Sequence, residues 1–301
     1  MSLNLIITQA PSNGILGGPF SKKLVLTNDG IDYAVSIEQM GVRTIEISST
    51  KAHSAKDVLS IYYRIVTLLM LFDGKFYPII EAADDVGDIT VSMQERELAS
   101  YKSADFMLGT GNALLNPFPL LSAQLIDVWN LLENNLDMVH KMFLYCVSNV
   151  EMPVDMKCAF LIETYIGLAE LIASKKADFI LPAIKSGESK LQKYLTAVIG
   201  CYGNDIFESE RKLGLELFSG ILKESRNRIA HIKEKRGKLF LNGAESVLYL
   251  CKLSMLYRIV LLDLLGIPSE QYESNVKKRV ESLNNWNGVL DAFLVRSKVA
   301  I

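Results

Sequence analysis

Apolar residues alternate with polar ones near the start of this chain and recur every three to four positions over most of the rest. The early part therefore reads as strands. Leu3, Leu5 and Ile7 follow a period of two. Residues 24–27, the turn Asn28-Asp29-Gly30, and Ile31, Tyr33, Val35 and Ile37 predict a β-hairpin, because Asp-Gly supplies the positive φ that a tight turn needs. Gly41 opens a further strand over 42–48, and a helix is expected over 55–72, stopped by Asp73-Gly74. Beyond it, 75–81 and the alternating Ile89, Val91 and Met93 predict two more strands around the acidic turn Asp84-Asp85-Val86-Gly87-Asp88. An antiparallel sheet with one long helix makes a small α+β domain.

From Pro117 the period changes to 3.6 and stays there. Helices are expected over 118–133, 136–147, 153–173, 189–201, 213–233 and 243–265, with a last one over 271–295. Pro153 suits the first turn of its helix, where a missing N–H costs nothing. Helices joined by short loops form a bundle. Gly109-Thr110-Gly111-Asn112 interrupts the pattern between the two parts, so the chain divides into a β-rich domain over 1–112 and an all-α bundle over 113–301, α+β overall.

Bulk composition agrees with two folded domains. With 301 residues, half of them hydrophobic, each part can bury its own core. The apolar runs 58–72 and 253–265 fall short of the ~20 residues a bilayer span needs. They carry Arg64 in one case and Arg258 with Asp263 in the other, so both read as buried helices and no membrane partner is expected. The first residues lack a basic region followed by an apolar core, and Cys146, Cys158, Cys201 and Cys251 stand singly in apolar or helical segments. A cytoplasmic protein with reduced core thiols is the expectation.

Charge changes the picture at one place. The net charge is -2, yet Lys223, Arg226, Arg228, Lys233, Lys235, Arg236 and Lys238 form a basic island opposed only by Glu224 and Glu234. Such an island attracts polyanions whatever the global balance. It also holds His231, whose imidazole can take and give a proton near neutrality, and Arg226, whose fork of donors fits a phosphate. On a helix Asn227 and His231 share a face, so the amide could orient the ring. Arg226 stands about 140° from His231, five steps of ~100°, so a long side chain, a distorted helix end or a second copy of the motif is needed to bring them together. The plain alternative is the solvated, charged end of an amphipathic helix. Glu163 and Glu170, on an otherwise apolar helix, are candidate supporting carboxylates facing this basic segment; the alternative is a solvent-facing stripe.

Other motifs carry less. Gly109 and Gly111 lack the third glycine and the preceding strand of a dinucleotide site, and Ile15-Leu16-Gly17-Gly18-Pro19 has no lysine where a phosphate-cradling loop requires one. Asp84, Asp85 and Asp88 do not have the spacing of a calcium loop. His53 and His140 stand far from any Cys or second His, so neither a metal nor a cofactor is expected.

Arg226-Asn227-Arg228-Ile229-Ala230-His231 resembles the signature of the HEPN superfamily, the higher eukaryote and prokaryote nucleotide-binding domains. There an Arg, a polar residue, three further residues and a His end a bundle helix. The sequel is similar too: a turn, then a long apolar helix from Ala244-Glu245-Ser246 to Leu265-Gly266-Ile267, as in the C-terminal HEPN domains of bacterial abortive-infection proteins. The likeness covers the C-terminal half, with its core at about 151–267; the N-terminal half is matched only vaguely.

The resemblance implies a metal-independent endoribonuclease acting in phage defence, with the N-terminal domain as sensor or brake. Its products would carry a 2′,3′-cyclic phosphate and a 5′-hydroxyl. His231 would move protons, Arg226 would supply charge and Asn227 would position, while Lys223, Arg228, Lys233, Lys235, Arg236 and Lys238 would hold RNA rather than DNA. It also implies a homodimer pairing two motifs in one cleft. The alternative from another class is a non-catalytic module that binds RNA, a nucleotide or a protein. The chain shows no nucleotidyltransferase Gly-Ser and paired-aspartate motif, which makes a fused antitoxin-type enzyme the poorer expectation.

Overall fold

The computed structural model of this chain describes residues 3–10, 19–51, 54–74, 76–100, 113–148, 151–231 and 238–299, apart from the side chains of 97–100 and 231. The loop 15–18, His53, Lys75, the 109–112 interruption, Lys233, Lys235 and Arg236 lie outside the described residues. Two compact units result, Met1–Asn134 and Asn135–Ile301.

The first unit is built on a five-stranded antiparallel sheet. Its strands are β1 (Leu3–Gln9), β2 (Phe20–Asn28), β3 (Ile31–Gln39), β4 (Arg43–Ser49) and β5 (Ile79–Asp84), in the order β2-β3-β4-β1-β5. Asn28 pairs with Ile31, and Asp29 (φ 52°) and Gly30 (φ 76°) make the left-handed turn that the Asp-Gly pair predicts. Along β3, Ile31, Tyr33, Val35, Ile37 and Gln39 are buried while the residues between them are not, so one face of the sheet is core.

Helix α1 (Ala55–Asp73) opens with a capping box between Ser54 and Asp57 and ends at Gly74 in the left-handed region (φ 76°). Its last residue, Asp73, lies 2.8 Å from Arg43, both side chains being almost wholly buried. The Arg43 guanidinium also sits 4.7 Å from the centroid of Tyr77, so pairing and ring contact offset its desolvation.

Two expectations fail in this unit. Ile89, Val91 and Met93 do not form a strand, because Thr90–Ser100 is helix α2, with Met93 buried and Val91 exposed. Helix α3 (Ala123–Leu136) belongs almost wholly to the first unit, so the division falls at 134/135 rather than 112/113. Its Trp129 is buried, and the indole N–H donates to the Thr67 hydroxyl of α1 at 3.1 Å.

The second unit is all helical: α4 (Met138–Val147), α5 (Val154–Lys175), α6 (Lys190–Tyr202), the short α7 (Glu208–Arg211), α8 (Leu215–His231), α9 (Gly243–Leu264), α10 (Glu273–Asn284) and α11 (Val289–Val299). A 3₁₀ turn at Ser269–Gln271 precedes α10. Helix α9 is its axis. An Asn242 capping box starts it, an unbroken run from Leu248 to Leu262 is buried, and the Tyr165 hydroxyl of α5 donates to its Leu253 carbonyl at 2.6 Å. The single helix expected over 271–295 is two, because Asn287 (φ 51°) and Gly288 (φ 66°) adopt a left-handed turn between α10 and α11.

Several polar groups inside this bundle are paired. Lys252 of α9 meets Glu210 of α7 at 2.6 Å with both side chains fully buried. His140 stacks on Phe143 and faces the Tyr257 hydroxyl at 3.3 Å; burial pushes its pKa down to about 3. Cys146, Cys158 and Cys251 are buried, whereas Cys201 is exposed, against the expectation of a core thiol. Among the described residues no helix is long and apolar enough to cross a membrane.

Candidate functional site

Helix α8 carries the Arg-Asn-Arg-Ile-Ala-His segment in its last turns. Phe218, Ile221 and Leu222 anchor its first half in the core, and from Lys223 to Ile229 the side chains are half-buried. The helix packs between α5 and α6. That packing sets Arg226 against Glu163, near the middle of α5.

The Arg226 guanidinium is held at two points. Its Nε donates to Glu163 Oε2 at 2.6 Å, and its Nη1 donates to Asn227 Oδ1 at 3.2 Å. The two charged side chains are 27% and 32% exposed, so solvent screens the pair only in part. Neighbouring residues project about 100° apart around a helix. The bond to Asn227 therefore draws the guanidinium round toward the face that Asn227 shares with position 231, four residues on. His231 is the last residue of α8; its side chain lies outside the described ones.

The remaining predicted residues divide. Lys223 meets Glu224 at 2.8 Å and reaches Gln192 Oε1 of α6 at 3.4 Å. Arg228 lies 4.1 Å from the centroid of Phe240. Lys238 is exposed and, with Lys223, Glu216, Glu224 and Gln192, lines an open cleft of about 330 Å³ beside α8. Glu170 does not join them, because it pairs with Lys190 of α6 at 2.6 Å, a half-exposed contact. With Glu163 facing Arg226 and Glu224 facing Lys223, the described part of the basic segment is less positive than composition suggests.

Ser225, Phe240 and Arg296 were not legible as parts of this region. The Ser225 hydroxyl donates to the Ile221 carbonyl at 2.7 Å and accepts from the Leu241 N–H at 2.9 Å. Arg296 of α11 donates to the Phe240 carbonyl at 2.9 Å and pairs with Glu245. The chain beyond α8 is thereby pinned back onto its motif. A serine inside a charged helical segment was the one available signal.

As for other chemistry, no group of three or more His, Cys, Asp and Glu that could hold a metal ion is found among the described residues. Asp84 accepts the Val86 and Gly87 N–H groups and Asp88 accepts the Thr90 N–H, as turn residues do. What the α8 arrangement offers is a fixed guanidinium, an amide beside it and an adjoining cleft. Compared with known proteins, the chain matches no family model, no curated protein and no solved structure.

Proposed function

We propose that the second unit is a metal-independent endoribonuclease of HEPN type acting in phage defence. The observation that carries this reading is the hold on Arg226: Glu163 fixes Nε at 2.6 Å and Asn227 turns Nη1 toward the face of position 231. In RNA the attacking group is the substrate's own 2′-hydroxyl, so the enzyme supplies a base, an acid and charge on the phosphate. His231 moves the protons and Arg226 carries the phosphate charge. One motif provides one imidazole, so a two-fold homodimer supplies the second proton-transfer group.

The test is incubation of wild type and His231→Ala with total tRNA and messenger RNA in EDTA, followed by end-group analysis. Wild type yields 2′,3′-cyclic phosphate and 5′-hydroxyl ends. His231→Ala loses the ~10²–10⁴-fold contribution of acid–base catalysis while keeping its helical spectrum. Equal degradation by both proteins rejects the assignment, and an active strict monomer in sedimentation rejects the shared site.

A second reading rests on the carboxylates. Because Lys223 and Arg226 already face Glu224 and Glu163, the segment also suits a module that binds RNA, a nucleotide or a protein without cutting. Salt-dependent RNA binding that survives His231→Ala, with no cleavage, selects it.

A further inference from the structure

The cleft of about 330 Å³ beside α8 opens on the same stripe of that helix as the motif. Gly220 lines it, and on an ideal helix positions 227 and 231 project within about 20° of Gly220, being seven and eleven steps of ~100° further on. A strand of RNA lying across the motif therefore reaches the cleft without leaving that face. Its volume stands at the low end of small-molecule sites, enough for one nucleobase.

The lining is ordered by its own contacts. Gln192 of α6 is fixed twice, its Nε2 donating to the Glu216 carbonyl at 3.0 Å and its Oε1 accepting from Lys223 at 3.4 Å. A Cβ at Gly220 would stand 3.2 Å from that Nε2, so a residue that weakens a helix interior here leaves the amide its room. Leu217, Ile221 and Leu239 supply apolar surface for a flat ring. Two lysines, Lys223 and Lys238, are matched by Glu216 and Glu224, so the lining offers a phosphate no net attraction. The carboxylates differ in kind. Glu224 is 14% exposed and meets Lys223 at 2.8 Å, whereas Glu216 is 59% exposed and Lys193 stands off from it at 3.6 Å. Glu216 is the acceptor open to a ligand.

We propose that this cleft is a base subsite for guanine, a short run of nucleotides away from the bond that the α8 motif cuts; the inference rests on the ribonuclease reading above. Guanine presents two donors side by side, N1–H and the 2-amino group, which match the two oxygens of the Glu216 carboxylate. Adenine, cytosine and uracil each set an acceptor beside their donor, and that acceptor would face the carboxylate unpaired. Single-stranded RNA splays its bases out for such readout, the ring lying on Leu217 and Leu239.

The test separates binding from cutting. Labelled 2′-O-methyl oligouridine, which lacks the attacking hydroxyl, carries one central guanosine or one central inosine, and fluorescence anisotropy gives Kd with the full chain. Inosine lacks only the 2-amino group, so the guanosine oligomer binds wild type about tenfold more tightly. Glu216→Gln, at an exposed position that does not endanger folding, brings the two within about twofold. The proposal is overturned if wild type binds both oligomers alike, or if Glu216→Gln still separates them tenfold. Unmethylated oligomers test the underlying reading apart from it. A wild type that prefers guanine but never cuts rejects the ribonuclease and leaves the subsite standing, while cutting that ignores guanine rejects the subsite alone.

Discussion

Arg226 of α8 and Glu163 of α5 meet at 2.6 Å, and this contact ties the motif helix to the bundle at the residue whose charge the proposed reaction needs. A counter-ion in that place both orients the guanidinium and subtracts from its charge. Orientation is the larger effect here, because the second bond, to Asn227, exists only if the head group is turned.

Glu163→Ala should therefore lower kcat about tenfold or more, as misplacement of a catalytic group does. Glu163→Gln keeps an acceptor for the Nε–H and should retain most of the activity. Steady-state cleavage of a short RNA measures both; unchanged kcat in the alanine variant removes the positioning role.

Arg226→Lys preserves the charge and loses the fork. A lysine ammonium is a point donor and cannot satisfy Glu163, Asn227 and a phosphate in the same geometry. Turnover should fall roughly 10²-fold, the scale of losing one oriented transition-state donor, with circular dichroism unchanged. Lysine restoring full turnover would mean that charge alone matters.

His140 predicts an acid limb of stability. Its folded pKa, about 3, is depressed by burial from an ordinary value of 6.5. Below pH 6.5 the unfolded chain takes up a proton that the folded chain refuses, so stability is full above that value and is lost as pH falls toward about 3. The slope approaches about 1.4 kcal/mol per pH unit in this window. Urea melts from pH 7 to pH 4 should show it, and His140→Phe should flatten it by this amount.

The buried Glu210–Lys252 pair predicts strong coupling. Lys252→Met leaves Glu210 charged in the core and should cost about 3–5 kcal/mol, while the double variant Glu210→Leu with Lys252→Met should recover most of it. Additive losses in urea melts would show that the two side chains do not act as a pair.

Much of this architecture was legible because local chemistry dictated it. Asp29-Gly30 required the hairpin turn, and Asp73-Gly74 stopped α1. The misread elements had competing periods. Ile89, Val91 and Met93 alternate over too short a stretch to exclude a helix, and Gln94-Glu95-Arg96-Glu97-Leu98 favoured one. Asn287-Gly288 was a visible break inside the last predicted helix.

At the site, a carboxylate on an apolar helix pointed to Glu163, since such a group needs a partner. The same argument misplaced Glu170, whose partner Lys190 lies at the opening of the next helix.

The Phe240 contacts carry one more implication. Phe240 is gripped from both sides, by the Arg228 guanidinium over its ring and by Arg296 at its carbonyl. The far C-terminal helix therefore acts as a brace on the motif: trimming α11 would release Phe240 and slacken the end of α8, so a defect at the proposed site can arise from a deletion that touches none of its side chains.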